Sequence, residues 1–167
     1  PPGVISATRG NHGQSLAFAA RRFGLRCVIV VPFGNSRDKN ASMRALGATL
    51  IEHGADFDAA REHAGGLAAG RGLRFVGPFE PELVAGVGTY ALELFRAAPP
   101  LDTVYVPIGC GSGICGLIAA RDALGLETRI VGVVASTADA YAQSFRARRP
   151  IETATAVTIA DGMAVRV

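Results

Sequence analysis

Residues 4–14 of this chain read Val4-Ile-Ser-Ala-Thr-Arg-Gly-Asn-His-Gly-Gln14. The two apolar residues at the start favour a strand, and the apolar spacing that follows Gln14 favours a helix. Gly10 and Gly13 permit a tight turn between them, and Thr8 and Asn11 are residue types that cap helix N-termini. A polar, glycine-containing turn at a helix start can bind an anion through its N–H groups. The same pattern also fits an ordinary capped turn without a ligand.

The rest of the chain alternates between predicted strands and helices. We predict further strands at 27–31, 49–51, 73–76, 103–106 and 129–134, and helices at about 11–22, 36–46, 56–69, 82–96, 113–124 and 138–147. We expect a break at 70–72 and assign nothing to 157–167. This alternation is typical of an α/β protein with parallel sheets and helices on both faces. The turn at 78–81 is the best candidate for a crossing between two sub-domains, 1–78 and 79–167.

Composition narrows the class of protein. The chain has 167 residues, 49% of them hydrophobic, which is enough for one domain or parts of two. The formal net charge is only +3 and the basic residues are scattered, so we expect no nucleic-acid partner. No apolar run approaches the ~20 residues of a membrane span. Three cysteines without metal-type spacing favour reduced thiols and a cytoplasmic location. The chain ends read as an excerpt of a longer polypeptide.

A second glycine-rich stretch, Pro107-Ile-Gly-Cys-Gly-Ser-Gly-Ile-Cys-Gly116, follows a predicted strand and opens a helix. Its closely spaced glycines can aim several N–H groups at a phosphate, and the Ser112 hydroxyl can add a donor. A tight turn with close packing is the alternative. No Gly-Lys-Ser/Thr follows, which argues against a Walker A loop. The spacing Gly111-x-Gly113-x-x-Gly116 fits a dinucleotide fingerprint, but the next strand does not end in the acid that fingerprint needs, because Asp139 falls inside a predicted helix.

These stretches resemble motifs of the threonine dehydratase and serine racemase family, pyridoxal 5'-phosphate (PLP) enzymes of the tryptophan-synthase-β type (PLP fold type II). Residues 8–14 resemble the family's Ser-x-Gly-Asn-His-(Ala/Gly)-Gln, and residues 107–113 resemble its Pro-x-Gly-Gly-Gly-Gly loop. Residues 77–89 resemble His-Pro-Phe…Ala-Gly-Gln-Gly-Thr, and residues 158–165 are very close to Thr-Ile-Ala-Asp-Gly-(Ile/Leu)-Ala-Val. The motifs occur in the family's order and extend over nearly the whole chain.

The resemblance implies a set of cofactor-binding residues for PLP. Asn11 matches the asparagine that hydrogen-bonds the PLP ring hydroxyl, and Phe79 matches a residue beside the cofactor, with core packing as the alternative. The phosphate loop is matched by Gly109, Cys110, Gly111, Ser112 and Gly113, with Cys110 and Ser112 in two of the family's glycine slots.

The resemblance also assigns a loop to the substrate carboxylate. That loop comprises Thr8, Arg9, Gly10 and His12. For His12 we give a structural hydrogen bond more weight than catalysis. Arg9 occupies the slot of the second catalytic serine of racemases, which argues against racemisation. An arginine there could meet an acidic group on the substrate or point to solvent.

Several family features have no match within the chain. The Schiff-base lysine belongs upstream of Pro1, so we expect no catalytic residue in this chain. Lys39 is the only lysine, and it matches a helical position away from the cofactor, where a salt-bridge or surface role is expected. The Ser or Thr that faces the pyridine nitrogen belongs beyond Val167. Val134 and Ala140 match acids that bind a divalent cation in some members, so we predict no such metal site.

The implied reaction is PLP-dependent α,β-elimination from a hydroxy amino acid such as threonine or serine, giving a 2-oxo acid and ammonia. An ammonia-lyase for a hydroxylated diamino acid, as in ectoine catabolism, is an alternative. Two further alternatives are an NAD(P)-binding oxidoreductase domain and a non-catalytic α/β module that binds a phosphorylated ligand. We expect a small amino-acid substrate and a homo-oligomer at full length.

Overall fold

The computed structural model describes residues 2–166 and shows an α/β fold. Its elements are β1 (Gly3–Ala7), α1 (Asn11–Arg22), β2 (Arg26–Val31), α2 (Arg37–Ala45), β3 (Thr49–Glu52), α3 (Phe57–Arg71), β4 (Arg74–Phe75), α4 (Pro81–Ala97), β5 (Thr103–Pro107), α5 (Ser112–Ala123), β6 (Arg129–Val133), α6 (Ala140–Ala147) and a 3₁₀ turn (Asp161–Met163). The chain divides into two compact units, one ending at Pro78 and the other beginning at Phe79. The predicted fold class is confirmed. The expectations for Pro1 and Val167 lie outside the described residues.

The first unit is built on a parallel sheet with strand order β3-β2-β1-β4. From Cys27 onward β2 is buried along its whole length, as expected for a parallel strand covered on both faces. Cys27, Ile29 and Val31 pack with residues of α1 and α2 on one face. The intervening Val28 and Val30 are fully buried as well, and α3 contacts both β1 and β2.

Helix ends in the first unit follow local sequence signals. The Ser36 hydroxyl accepts a hydrogen bond from the Lys39 N–H at 3.5 Å, and an Asp56 carboxylate oxygen accepts one from the Ala59 N–H at 2.9 Å. The predicted break at 70–72 is wrong in its start, because α3 continues to Arg71. The helix ends at Gly72, whose φ of +61° is the left-handed conformation that glycine adopts at little cost.

The second unit contains the parallel pair β5-β6 and the helices α4 and α5. Its core cluster joins Ala91 of α4, Val106 of β5, and Leu117 and Ala120 of α5. Gly116 of α5 packs so closely on α4 that a Cβ there would lie 3.0 Å from the Gly88 nitrogen. Apart from the 3₁₀ turn, residues 157–166 form neither helix nor strand. Among the described residues, no helix has the length and apolar character needed to cross a membrane.

Candidate functional site

The first unit presents a loop between β1 and α1, formed by Thr8, Arg9 and Gly10 (the β1–α1 loop). Thr8 is buried, and its hydroxyl accepts hydrogen bonds from the N–H groups of Gly10 at 2.9 Å and Gly13 at 3.3 Å. Helix α1 begins at Asn11, as predicted, and Gly10 stands at the cap position. Of the two capping residue types in this stretch, Thr8 supplies the capping hydrogen bond, because its hydroxyl accepts from the Gly13 N–H in the first turn of α1.

Gly13 fixes how closely α1 approaches the sheet. A Cβ at this position would overlap the Thr8 methyl group and lie 2.6 Å from the Met43 sulfur. Only glycine fits there without displacing its neighbours. Packing therefore explains why residue 13 is glycine, and the absence of a side chain there lets the start of α1 lie directly against the loop.

His12 is held in a hydrogen-bond network under the loop. Its Nε2 lies 2.9 Å from the Ser6 hydroxyl and 3.3 Å from the Val76 carbonyl oxygen. The Ser6 hydroxyl also donates to the same carbonyl at 2.5 Å. This network ties the first turn of α1 to β1 and to the residue that follows β4, so His12 has the structural hydrogen bonds to which we gave more weight.

The side chains around the β1–α1 loop are polar and cationic. Asn11 is exposed, and within residues 2–166 its amide makes no hydrogen bond. The Arg9 Nε is buried, and it donates to no atom of the described chain. Lys39 is closer to this loop than its sequence position implies, since a Cβ on Gly10 would lie 2.7 Å from the Lys39 Cδ.

The second unit presents a loop between β5 and α5, residues 108–111 (the β5–α5 loop). The helix already begins at Ser112, so Ser112 and Gly113 lie in its first turn rather than in the loop. Gly111 stands at the cap position with a φ of +93°, and no described side chain caps the helix there. Because N–H groups in a first turn have no intrahelical partner, those of Ser112 and Gly113 are open to a ligand. The Ser112 hydroxyl also makes no hydrogen bond within the described chain.

Aromatic side chains surround this helix start. A Cβ on Gly111 would lie 3.7 Å from the Phe79 ring and 3.8 Å from the Tyr141 hydroxyl. The Tyr90 hydroxyl donates to the Gly113 carbonyl oxygen at 3.4 Å, and partial burial raises the pKa of Tyr90. Phe79 is 50% exposed in this chain.

Sequence reasoning missed both tyrosines. Tyr90 directly follows the Ala85–Thr89 motif, and Tyr141 directly follows Ala140, so each adjoins a position that the resemblance singled out. A search of the residues next to each motif for aromatic side chains would have found them.

The C-terminal motif packs against the β5–α5 loop. A Cβ on Gly109 would overlap the Gly162 carbonyl oxygen. Cys110 is half-buried. The motif of residues 158–165 therefore supports the loop by backbone contact, which requires glycine at position 109.

Two observations bear on the dinucleotide interpretation. Its third glycine, Gly116, serves the contact with α4. The prediction that Asp139 lies inside a helix is wrong, because Asp139 precedes α6, where its carboxylate accepts a hydrogen bond from the Gln143 amide at 2.7 Å. Within residues 2–166, no three His, Cys, Asp or Glu side chains are grouped as metal ligands, and Ala140 is buried.

Comparison with known proteins identifies the family. The model of the family described as "Pyridoxal-phosphate dependent enzyme" matches residues 1–167. The biosynthetic L-threonine dehydratase of Burkholderia multivorans is 40% identical over 98% of this chain. The structure of processed threonine deaminase isoform 2 from Solanum lycopersicum is 32% identical, covers 99% of this chain and superposes with a TM-score of 0.89. That of a pyridoxal 5'-phosphate-dependent aspartate racemase is 28% identical, covers 98% of it and has a TM-score of 0.90.

This chain spans only part of each of these proteins. It covers 33% of the Burkholderia enzyme, 48% of the tomato chain and 51% of the racemase chain. The match nevertheless extends from one end of this chain to the other, and the cofactor named in the family description is the one that the motifs imply. The chain belongs to the family of pyridoxal-phosphate dependent enzymes.

Proposed function

We propose that the full-length protein containing this chain removes ammonia from a β-hydroxy amino acid, such as threonine or serine, to give a 2-oxo acid. The threonine dehydratase and threonine deaminase among its relatives support this reaction. The observation that carries the proposal is the start of α5, where Gly111 is left-handed, no described side chain caps the helix and the Ser112 hydroxyl has no partner in residues 2–166.

The first turn of α5 and the β5–α5 loop before it fit the phosphate of PLP. A phosphate needs several donors that converge on one point and a backbone free of obstructing side chains. The N–H groups of Ser112 and Gly113 and the Ser112 hydroxyl supply donors, and the glycine at 111 leaves room among Phe79 and Tyr141. We assign the second unit to phosphate binding and the first to the substrate side.

Asn11 fits the ring hydroxyl of PLP by its chemistry. Its amide can donate and accept, the side chain is exposed, and within residues 2–166 it has no competing hydrogen bond. The Thr8 and His12 hydrogen bonds fix the turn that carries Asn11. The chain therefore holds Asn11 in place without using its amide.

The chemistry divides between cofactor and chain. When bound, PLP supplies an electron sink for the charge left on the α-carbon after its proton is removed. The β1–α1 loop binds the substrate carboxylate at the positive end of α1, whose first turn contains no acidic residue. In the overall reaction the α C–H and β C–O bonds break and water leaves. The resulting enamine takes water back and releases ammonia with the 2-oxo acid.

The test uses the full-length protein loaded with PLP. Borohydride reduction followed by intact mass and peptide mapping locates the lysine that forms the imine. We expect a pyridoxyl adduct outside residues 1–167, an unmodified Lys39, and equal amounts of 2-oxo acid and ammonia from threonine or serine. An adduct on Lys39 would contradict the assignment of the lysine, and the absence of both adduct and product would contradict the proposed function.

A variant pair tests the role of Asn11. Asn11→Ala should weaken PLP binding about fivefold to tenfold, because one hydrogen bond of about 1 kcal/mol is lost. Ser15→Ala, at an exposed position one turn further along α1, should leave PLP affinity unchanged. Fluorescence titration of PLP measures both, and equal affinities in the two variants would remove Asn11 from the cofactor site.

A further inference from the structure

Arg9 is a partly buried cation without an internal counterion. Its Nε is inaccessible to solvent and has no hydrogen-bond partner in the described chain. The guanidinium makes no ion pair with any residue of 2–166. Two acids of the same unit pair with other arginines: Asp58 lies 3.1 Å from Arg61, and Glu52 lies 3.6 Å from Arg44.

An unpaired buried donor on a charged group is costly. The first turn of α1, which follows Arg9 directly, contains no acid that could offset the charge of the guanidinium. The Arg9 guanidinium and the positive end of α1 therefore lie together at the β1–α1 loop. A bound anion would offset both.

We propose that Arg9 binds a second carboxylate on the substrate, so that the preferred substrates are β-hydroxy α-amino dicarboxylic acids. This inference rests on the proposed elimination reaction and names its substrate class. Every amino acid has an α-carboxylate, for which the N–H groups at the start of α1 are already suited. The planar guanidinium supplies a further pair of donors, and their geometry matches a carboxylate.

The charge of Arg9 also disfavours the diamino acid alternative. A substrate with a second ammonium group would bring like charge to the Arg9 guanidinium, which raises the free energy of the complex. Threonine supplies no group that compensates Arg9. For 3-hydroxyaspartate, the smallest member of the proposed class, the α C–H and β C–O bonds break, water leaves and returns, and the products are ammonia and the four-carbon 2-oxo dicarboxylate.

The test compares substrates in the full-length, PLP-loaded enzyme. We expect kcat/KM for 3-hydroxyaspartate to exceed that for threonine and serine by about 30-fold, the value of one charge-assisted hydrogen-bond pair. Arg9→Met should lower the ratio of these kcat/KM values by a similar factor, mainly through the KM for 3-hydroxyaspartate. The kcat/KM ratio of Arg9→Lys should lie between those of the wild-type enzyme and Arg9→Met. Arg22→Met removes an exposed arginine at the far end of α1 and should leave the ratio unchanged.

Ligand binding tests the role of Arg9 even if the enzyme shows no elimination activity. By calorimetry, wild-type protein should bind L-aspartate about 30-fold more tightly than L-2-aminobutyrate, which has similar size but no second carboxylate, and Arg9→Met should abolish this preference. An enzyme that prefers threonine, or a preference that survives Arg9→Met, overturns the role of Arg9. If the wild-type enzyme turns over none of the substrates but still binds aspartate with an Arg9-dependent preference, the proposed elimination reaction is overturned. The same result supports Arg9 as the binding residue for a second carboxylate.

Discussion

At the scale of single residues, glycines in this chain serve opposite purposes. Gly13 lies where a Cβ would overlap the Thr8 methyl group and approach the Met43 sulfur to 2.6 Å. Gly66, inside α3, has no atom within 4 Å of a Cβ. The first is required by packing, whereas the second only weakens its helix.

Alanine at these two glycines should therefore have opposite effects on stability. Gly13→Ala should lower the free energy of unfolding by about 1–3 kcal/mol, because the added methyl group overpacks the contact between α1 and the sheet. Gly66→Ala should raise it by about 0.5–1 kcal/mol through helix propensity. Urea unfolding of the full-length protein measures both. Equal changes in the two variants would mean that Gly13 is not packed as described.

Cys27 makes stability depend on alkaline pH. Burial raises the pKa of its thiol to about 11, from 9.0. The folded state therefore keeps the thiol proton where the unfolded state has lost it, and stability falls as pH rises from about 9 to 11. Between pH 8 and pH 10 the loss from this group should be about 1 kcal/mol. Urea unfolding of Cys27→Ala should show a correspondingly smaller fall in the free energy of unfolding between pH 8 and pH 10 than the wild-type protein does. An identical fall in both proteins would exclude Cys27 as the source of the pH dependence.

At the scale of secondary-structure elements, α4 and α5 pack through an asymmetric glycine contact. A Cβ on Gly116 would lie 3.0 Å from the Gly88 nitrogen and 3.2 Å from the Val87 side chain, whereas a Cβ on Gly88 would lie 3.7 Å from the Gly116 oxygen. We expect Gly116→Ala to destabilise the protein by about 1–2 kcal/mol. Gly88→Ala should be neutral or stabilising by up to about 1 kcal/mol. Chemical denaturation distinguishes them, and a tolerated Gly116→Ala would mean that the helices separate at little cost.

Elements were predictable from sequence wherever local signals were strong. The apolar run of β2 and the capping residues Ser36 and Asp56 place their elements nearly where the structure has them. Helix ends at glycine were less predictable, since Gly70 is tolerated within α3 and only Gly72 terminates it. The spacing that ends at Gly116 suggested a nucleotide loop, because a pattern of glycines does not reveal whether a ligand or a neighbouring helix occupies the space.

The candidate site was predictable in its loops but not in its surroundings. The motifs named the residues of both loops, since those motifs are contiguous in sequence. The contact of Lys39 with Gly10, the unpartnered Arg9 Nε and the tyrosines at 90 and 141 depend on chain segments that meet only in the fold. No periodicity in the sequence predicts such contacts.

At the scale of the whole molecule, a cofactor stabilises the folded protein by mass action. A ligand at 100 times its Kd, bound only by the folded state, adds about 2.7 kcal/mol to the free energy of unfolding. If the start of α5 holds the PLP phosphate, this gain depends on Gly111, whose φ of +93° aims the first N–H groups of the helix. Alanine at this position should relax the backbone and misdirect those donors.

Gly125 provides the matched control, because it is also left-handed, with a φ of +64°, and has open space around it. Both Gly111→Ala and Gly125→Ala should cost roughly 1–2 kcal/mol in backbone strain without PLP. With PLP, thermal unfolding of the full-length protein should show the usual rise in Tm for Gly125→Ala and a much smaller rise for Gly111→Ala, whose PLP affinity should fall at least about tenfold. Because both variants carry the same backbone strain, their Tm values should be lowered similarly without PLP. A difference in Tm between them that appears only with PLP therefore reports phosphate binding at the start of α5. An equal rise in both variants would place the phosphate away from the start of α5.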